Sequence, residues 1–234
     1  MIAKVIGIVF VVLLTVGAPV LSFTTAREPN LRLLPRLVLY RSAVISQWLL
    51  AAVYVAVVWL TSMNPLFFRA IPGAAFIRWT LLVTGVSLAG LGVLLLLERR
   101  GWWPPESELV YLLLPSSRME KLWAVFFVAP TAALCEEFLY RGYLMTQLSQ
   151  WFHSVPWAWG VSSAAFGLAH VYQRLNGMLR AALLGALLAY PVVRFGSIYP
   201  SMAAHFLIDA LALAWLGPKM LPREGGESRV ANRE

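Results

Sequence analysis

The residues best suited to chemistry are a few ionisable side chains inside strongly apolar stretches. Of the 11 acidic residues, Glu136, Glu137 and Asp209 stand in such stretches. A charge near the centre of a bilayer costs about 2.5–3.5 kcal/mol on insertion scales, so such groups usually face a protein interior and have a partner or a function. We therefore expect these three carboxyl groups to mark a site.

Helical spacing predicts how the two adjacent glutamates are compensated. Glu137 and Arg141 are four residues apart, share a helix face and can form an ion pair. Glu136 is rotated by roughly 100° from that face and lacks the partner. It is therefore the better candidate for a reactive carboxylate. A purely structural ion pair is the alternative interpretation of Glu137 and Arg141.

Two histidines occur at the same four-residue spacing. Phe166 and His170 share one helix face, and His205 and Asp209 share another. Imidazole is the side chain best able to exchange protons near neutral pH, which makes both histidines candidate site residues.

Two further chemistries use the same residues. Cys135, the only cysteine, could act as a thiol nucleophile with a histidine base, but an apolar helix disfavours the thiolate. Two histidines with a glutamate and an aspartate could hold zinc, although the HExxH pattern is absent.

The composition indicates that helices in a membrane position these groups. Hydrophobic residues make up 60% of the 234 residues and charged residues 13%, against about 25% charged in soluble proteins. Because about 20 apolar residues span the hydrocarbon layer, the sequence predicts an all-α polytopic bundle of about seven (six to eight) transmembrane helices around a polar chamber. A short interfacial helix is also expected within 102–115. In chain order the predicted spans are 2–26, 42–62, 78–97, 121–148, 156–174, 178–194 and 197–217.

The basic residues predict the topology. Lys and Arg total 19; 14 fall in alternate segments on one side and 4 on the other, and the net charge is +8. Since cytoplasmic segments keep the excess, we expect the N-terminus outside and the C-terminus in the cytoplasm. This distribution argues against nucleic-acid binding. We expect a single transmembrane domain, 1–217, whose first segment is an anchor rather than a signal peptide, and a polar, disordered tail, 218–234.

The three motifs together resemble those of a known family. The resemblance covers about 120–217 and is to the CAAX protease and bacteriocin-processing (CPBP, or Abi) family of intramembrane glutamic endopeptidases. The motifs are Glu136-Glu137-xxx-Arg141, Phe166-xxx-His170 and His205-xxx-Asp209.

The resemblance implies a chamber in which a glutamate and a histidine activate water, with no metal and no cofactor. Carried over by position, Glu136 is the base and His170 its partner. Glu137 and Arg141 hold the site together, with Phe166 in support.

The same resemblance implies that His205 and Asp209 stabilise the oxyanion, but some members have Asn at the second position. An ionised carboxylate would repel an oxyanion, whereas neutral donors contribute about 3–4 kcal/mol. We therefore expect Asp209 to orient His205 by accepting its N–H. The predicted spans place His170 nearer the cytoplasmic side and His205 nearer the outer side.

The implied function is hydrolysis of a peptide bond in a membrane-associated or exported protein, for example in its C-terminal tail, within a bacterial inner membrane. The expected partners are this protein or peptide substrate and the lipid bilayer. The alternative is a non-catalytic transporter or immunity-type binding protein that uses the same buried charges.

Overall fold

Helices account for nearly all regular structure in residues 2–216, which are the residues that the computed structural model describes. Phe68 and Ser197 form an isolated antiparallel bridge between two loops. In chain order the helices are α1 (Ile2–Ala26), α2 (Arg36–Thr61), α3 (Gly73–Arg99), α4 (Glu108–Leu113), α5 (Arg118–Phe152), α6 (Val155–Ala169), α7 (Arg174–Phe195) and α8 (Tyr199–Leu211), and a π-helical turn, Ala212–Leu216, extends α8.

The predicted all-α polytopic bundle is confirmed, but the number of full spans differs. Within the described residues, five helices are long and apolar enough to cross a membrane: α1, α2, α3, α5 and α7 with the 3₁₀ turn Val171–Gln173 before it. These five correspond to five of the seven predicted spans, and the other two, 156–174 and 197–217, contain shorter helices.

Turns shorten two of the predicted spans. In 156–174, α6 ends at Ala169, and its 15 residues are about 22 Å long, less than a hydrocarbon layer of about 30 Å. The last predicted span, 197–217, begins instead at Tyr199, because Gly196 ends α7 in the left-handed conformation and Pro200 suits a first helical turn. The expected interfacial helix in 102–115 is α4. The predicted tail, 218–234, lies outside the described residues.

Helix α5 is the central element of the bundle. In its most apolar window 44% of the residues are buried, against 17–22% in α1, α2 and α3. Side-chain bonds from Tyr143 to the Gly7 carbonyl on α1 (3.1 Å) and from Ser162 on α6 to the Tyr140 carbonyl (2.8 Å) attach neighbouring helices to it. Residues on α5 are therefore enclosed by protein.

Two π-helical segments interrupt α5. Ala124–Val128 comes just before Pro130, which has no N–H to continue an α-helical ladder. Phe138–Leu144 follows Glu137 directly and contains Arg141. Such wider turns are frequent at functional sites, because they change the direction in which side chains project.

A close contact between α6 and α7 positions the second motif. A Cβ at Gly167 would lie 2.7 Å from both the Met178 carbonyl oxygen and the Ala182 Cβ. Only glycine lets the two helices approach this closely, one residue from Phe166.

Candidate active site

The Glu137–Arg141 pair predicted from spacing is present and fully buried. Arg141 Nη1 donates to Glu137 Oε1 over 3.0 Å, and the two side chains are 1% and 0% exposed. Arg141 Nη2 also donates to the Gly185 carbonyl on α7 at 2.9 Å. The guanidinium therefore joins α5 to α7 while it neutralises the Glu137 carboxylate.

His205 on α8 lies against both glutamates. Its Nδ1 is 3.0 Å from Glu137 Oε1, and because a carboxylate only accepts, Nδ1 carries the proton. On the other side of the ring, Nε2 lies 3.5 Å from Asp209 Oδ2 and 3.9 Å from Glu136 Oε2. The shortest contact to His205 thus comes from Glu137, 68 positions away, and not from Asp209 on the same helix.

His170 is fixed by the end of α6. Its Nδ1 lies 2.8 Å from the Phe166 carbonyl oxygen, so Nδ1 donates and Nε2 of the neutral ring is left as the acceptor. Among the described residues no carboxylate forms a direct ion pair with His170. His170 therefore has one ring nitrogen available for proton transfer.

The Phe166 ring is the common contact of the site. The Arg141 guanidinium lies over it at 4.4 Å, His170 packs against it at 4.7 Å, and Tyr140 and His205 approach it edge-on at 5.1 and 6.2 Å. Because both histidine rings contact the same aromatic ring, they lie close together. The predicted span ends separated them, and the observed helix ends at Ala169 and Tyr199 differ from those span ends by a few residues.

Exposure separates the carboxyl groups into two kinds. The side chains of Glu136 and Asp209 are 16% and 30% exposed, whereas Glu137 is completely enclosed. Gln47 on α2 donates its amide to Glu136 Oε1 at 2.9 Å. Substrate can therefore reach Glu136 and Asp209, but not Glu137.

Gln47 was missed by the sequence interpretation, which took α2 only as apolar. A glutamine within an otherwise apolar span was the available signal. The grouping of three carboxyl groups around His205 also follows only from the structure.

The other two chemistries find little support in the described residues. Within 2–216, no three histidine, cysteine and acidic side chains are grouped so that they could hold a metal ion. The Cys135 thiol is fully buried beside Glu136, out of reach of a substrate.

The fold and site together define a class of protein: an integral, multi-pass membrane protein with a buried cluster of acid, imidazole and guanidinium groups. A family model described as "Type II CAAX prenyl endopeptidase Rce1-like" matches residues 118–211, about two-fifths of the chain. That range contains all seven predicted site residues. This match supports the resemblance to the CAAX protease and bacteriocin-processing family that the three motifs predicted. It matches no curated protein and no solved structure.

Proposed function

We propose that this protein is an intramembrane glutamic-type endopeptidase, in which Glu136 and His170 activate water to hydrolyse a peptide bond. The observation that carries the proposal is the arrangement around Phe166. There, a partly exposed carboxylate lies with two imidazoles inside a bundle of apolar helices, within the segment that matches a CAAX endopeptidase family.

In the proposed reaction Glu136 takes a proton from water, and the hydroxide oxygen attacks the peptide carbonyl carbon. His170, whose Nδ1 donates to the Phe166 carbonyl, uses Nε2 to accept a hydrogen bond from the water and so positions it, and Glu136 passes the proton that it took to the leaving amine. The C–N bond then breaks and releases an amine and a carboxylic acid. Gln47 supports this role, because its amide fixes the direction of the Glu136 carboxylate.

His205 acts on the carbonyl oxygen, and Asp209 acts through His205. Glu137 accepts the Nδ1 proton of His205, so Nε2 is the nitrogen directed at the substrate, and it donates to the carbonyl oxygen when the ring carries a second proton. Asp209, 3.5 Å from Nε2, steadies the ring from the exposed side. Glu137 and Arg141 are positioning residues, since neither can be reached by a substrate.

The substrate is a membrane-associated or exported protein, cut for example in its C-terminal tail. The protein resides in a bacterial inner membrane with its N-terminus outside, in agreement with the excess of basic residues on the opposite side.

The proposal is tested with purified protein in liposomes and a panel of membrane-anchored peptides, with products identified by mass spectrometry. Glu136→Gln should lower cleavage by about 10²–10⁴-fold, the usual contribution of a general base. Glu28→Gln, an exposed glutamate in a loop, is the matched control and should cleave normally.

Two outcomes would overturn the proposal. Loss of cleavage on chelation, restored by added zinc, would indicate a metalloprotease. Absence of Glu136-dependent cleavage for every peptide, together with ion-coupled uptake into the liposomes, would indicate a transporter. If cleavage is seen, comparing the proteomes of wild-type and Glu136→Gln cells identifies the natural substrate.

A further inference from the structure

A second polar network lies beside the site, and none of its members belongs to the three motifs. It runs from the loop before α4 to the turn between α6 and α7. Glu106 forms an ion pair with Arg180, Arg180 Nη2 donates to Gln173 Oε1 at 2.9 Å, and Gln173 Nε2 donates to the Tyr172 hydroxyl at 2.6 Å.

The chemistry of these groups fixes the direction of every hydrogen bond. An arginine only donates, so the amide atom of Gln173 that contacts Arg180 must be its oxygen. The nitrogen of the same amide therefore faces Tyr172 and donates to the phenol oxygen. The Tyr172 proton is not used in this bond and must point elsewhere.

The packing and the backbone of the turn hold this network in place. The Gln173 side chain fills the space beside Gly177, where a Cβ would lie 2.0 Å from the Gln173 Cβ. Arg174, the next residue after Gln173, has a φ of 60°, a conformation that costs a non-glycine residue energy and that clusters at functional sites. The strained backbone conformation at Arg174 therefore lies in the same turn that positions Tyr172.

Tyr172 lies at the edge of the catalytic chamber. Its ring centroid is 6.0 Å from that of His170, and its side chain is partly exposed. A neutral donor is needed in this chamber, because the Asp209 carboxylate would repel an oxyanion.

We infer that Tyr172 is a further catalytic residue, which donates its free O–H to the carbonyl oxygen of the scissile peptide bond. This inference rests on the proposed endopeptidase function. The donor comes from the turn between α6 and α7, so it approaches the carbonyl from a different element than His205 on α8.

The test compares five variants in the same liposome assay, after Glu136-dependent cleavage has been established for the wild-type protein. Tyr172→Phe removes the donor and should lower kcat by about 10²-fold with little change in KM, as for loss of one oxyanion donor. Tyr190→Phe, an exposed tyrosine of α7, is the matched control and should keep wild-type kcat.

Two changes at Gln173 separate a catalytic from a structural role. A carboxylate in Gln173→Glu only accepts, so it turns the Tyr172 proton away from the substrate, and kcat should fall nearly as far as in Tyr172→Phe. Gln173→Leu loses both hydrogen bonds but leaves the phenol free to donate, so its kcat should stay closer to wild type. The double variant Tyr172→Phe/Gln173→Glu should be no worse than Tyr172→Phe alone.

A merely structural role reverses this order. Gln173→Leu, which breaks the network, would then be the most damaging change, and Gln173→Glu, which keeps both contacts, the mildest. That order, or wild-type kcat in Tyr172→Phe, would overturn the inference while leaving the endopeptidase intact. Absence of any Glu136-dependent cleavage would instead overturn the proposed function.

Discussion

Replacing Arg141 by methionine should be among the most destabilising single changes in this protein. The guanidinium is fully buried, holds Glu137 at 3.0 Å and the Gly185 carbonyl at 2.9 Å, and lies over Phe166. Methionine fills similar volume but leaves the Glu137 carboxylate with His205 as its remaining partner. Removing one member of a buried ion pair costs about 3–5 kcal/mol, which for a chain of this size lowers the melting temperature by roughly 6–20 °C.

The single cysteine supplies the assay. Cys135 is fully buried, so a thiol-reactive fluorescent dye reports unfolding in detergent as the thiol becomes accessible on heating. Glu137→Gln in the Arg141→Met background removes the unpaired charge. The double variant should therefore recover about 2–3 kcal/mol of the loss.

An exposed pair provides the control. Arg32 and Glu108 also lie 3.0 Å apart, but their side chains are 65% and 78% exposed. Arg32→Met should cost less than about 1 kcal/mol. If Arg141→Met unfolds at the same temperature as Arg32→Met, or if the double variant is less stable than the single one, the electrostatic account of the buried pair is refuted.

Four further changes test the site. Asp209→Asn should keep measurable cleavage, whereas His205→Ala should not, because the ring still has Glu137 to orient it. Gln47→Leu should slow cleavage by about tenfold or more, since Glu136 loses a charge-assisted hydrogen bond of about 1.5–3 kcal/mol. Gly185→Ala should lower the free energy of unfolding by about 1–3 kcal/mol in the dye assay. The added Cβ would lie 3.0 Å from the Phe166 ring and 3.1 Å from the Arg141 guanidinium.

The glutamine and glycine changes each have a matched control. Gln150→Leu changes an exposed glutamine of α5 and should leave the cleavage rate unchanged. Gly92→Ala on α3 meets nothing within 4 Å and should not destabilise the protein. Equal loss of cleavage in the two α8 variants would show that Glu137 alone does not keep the His205 ring in its active orientation. Equal stability of the two glycine variants would contradict the close packing at Gly185.

Local spacing predicted what lies on one helix and little of what lies between helices. Glu137 and Arg141 are one turn apart, so their pairing could be predicted from the helical period alone. The bond from His205 to Glu137 joins residues 68 positions apart, and the bond from Gln47 to Glu136 joins residues 89 apart. Neither contact has a local pattern, because both depend on how α2, α5 and α8 pack.

Hydropathy predicted the membrane class but misjudged two spans. The stretch 156–174 is apolar on average, yet it contains the helix end at Ala169 and a turn that carries His170 and Tyr172. Average hydropathy does not distinguish a continuous helix from a helix and a turn enclosed by protein.

The end of α6 links folding to acid–base chemistry. The Phe166 carbonyl oxygen can accept a hydrogen bond from His170 Nδ1 because α6 ends before a backbone N–H donates to that oxygen. One more helical turn would occupy that oxygen, release the imidazole and leave its two nitrogens interchangeable. Insertions or loop exchanges just after Ala169 would therefore disable an enzyme in which every motif residue is retained, and a motif search would not detect the damage.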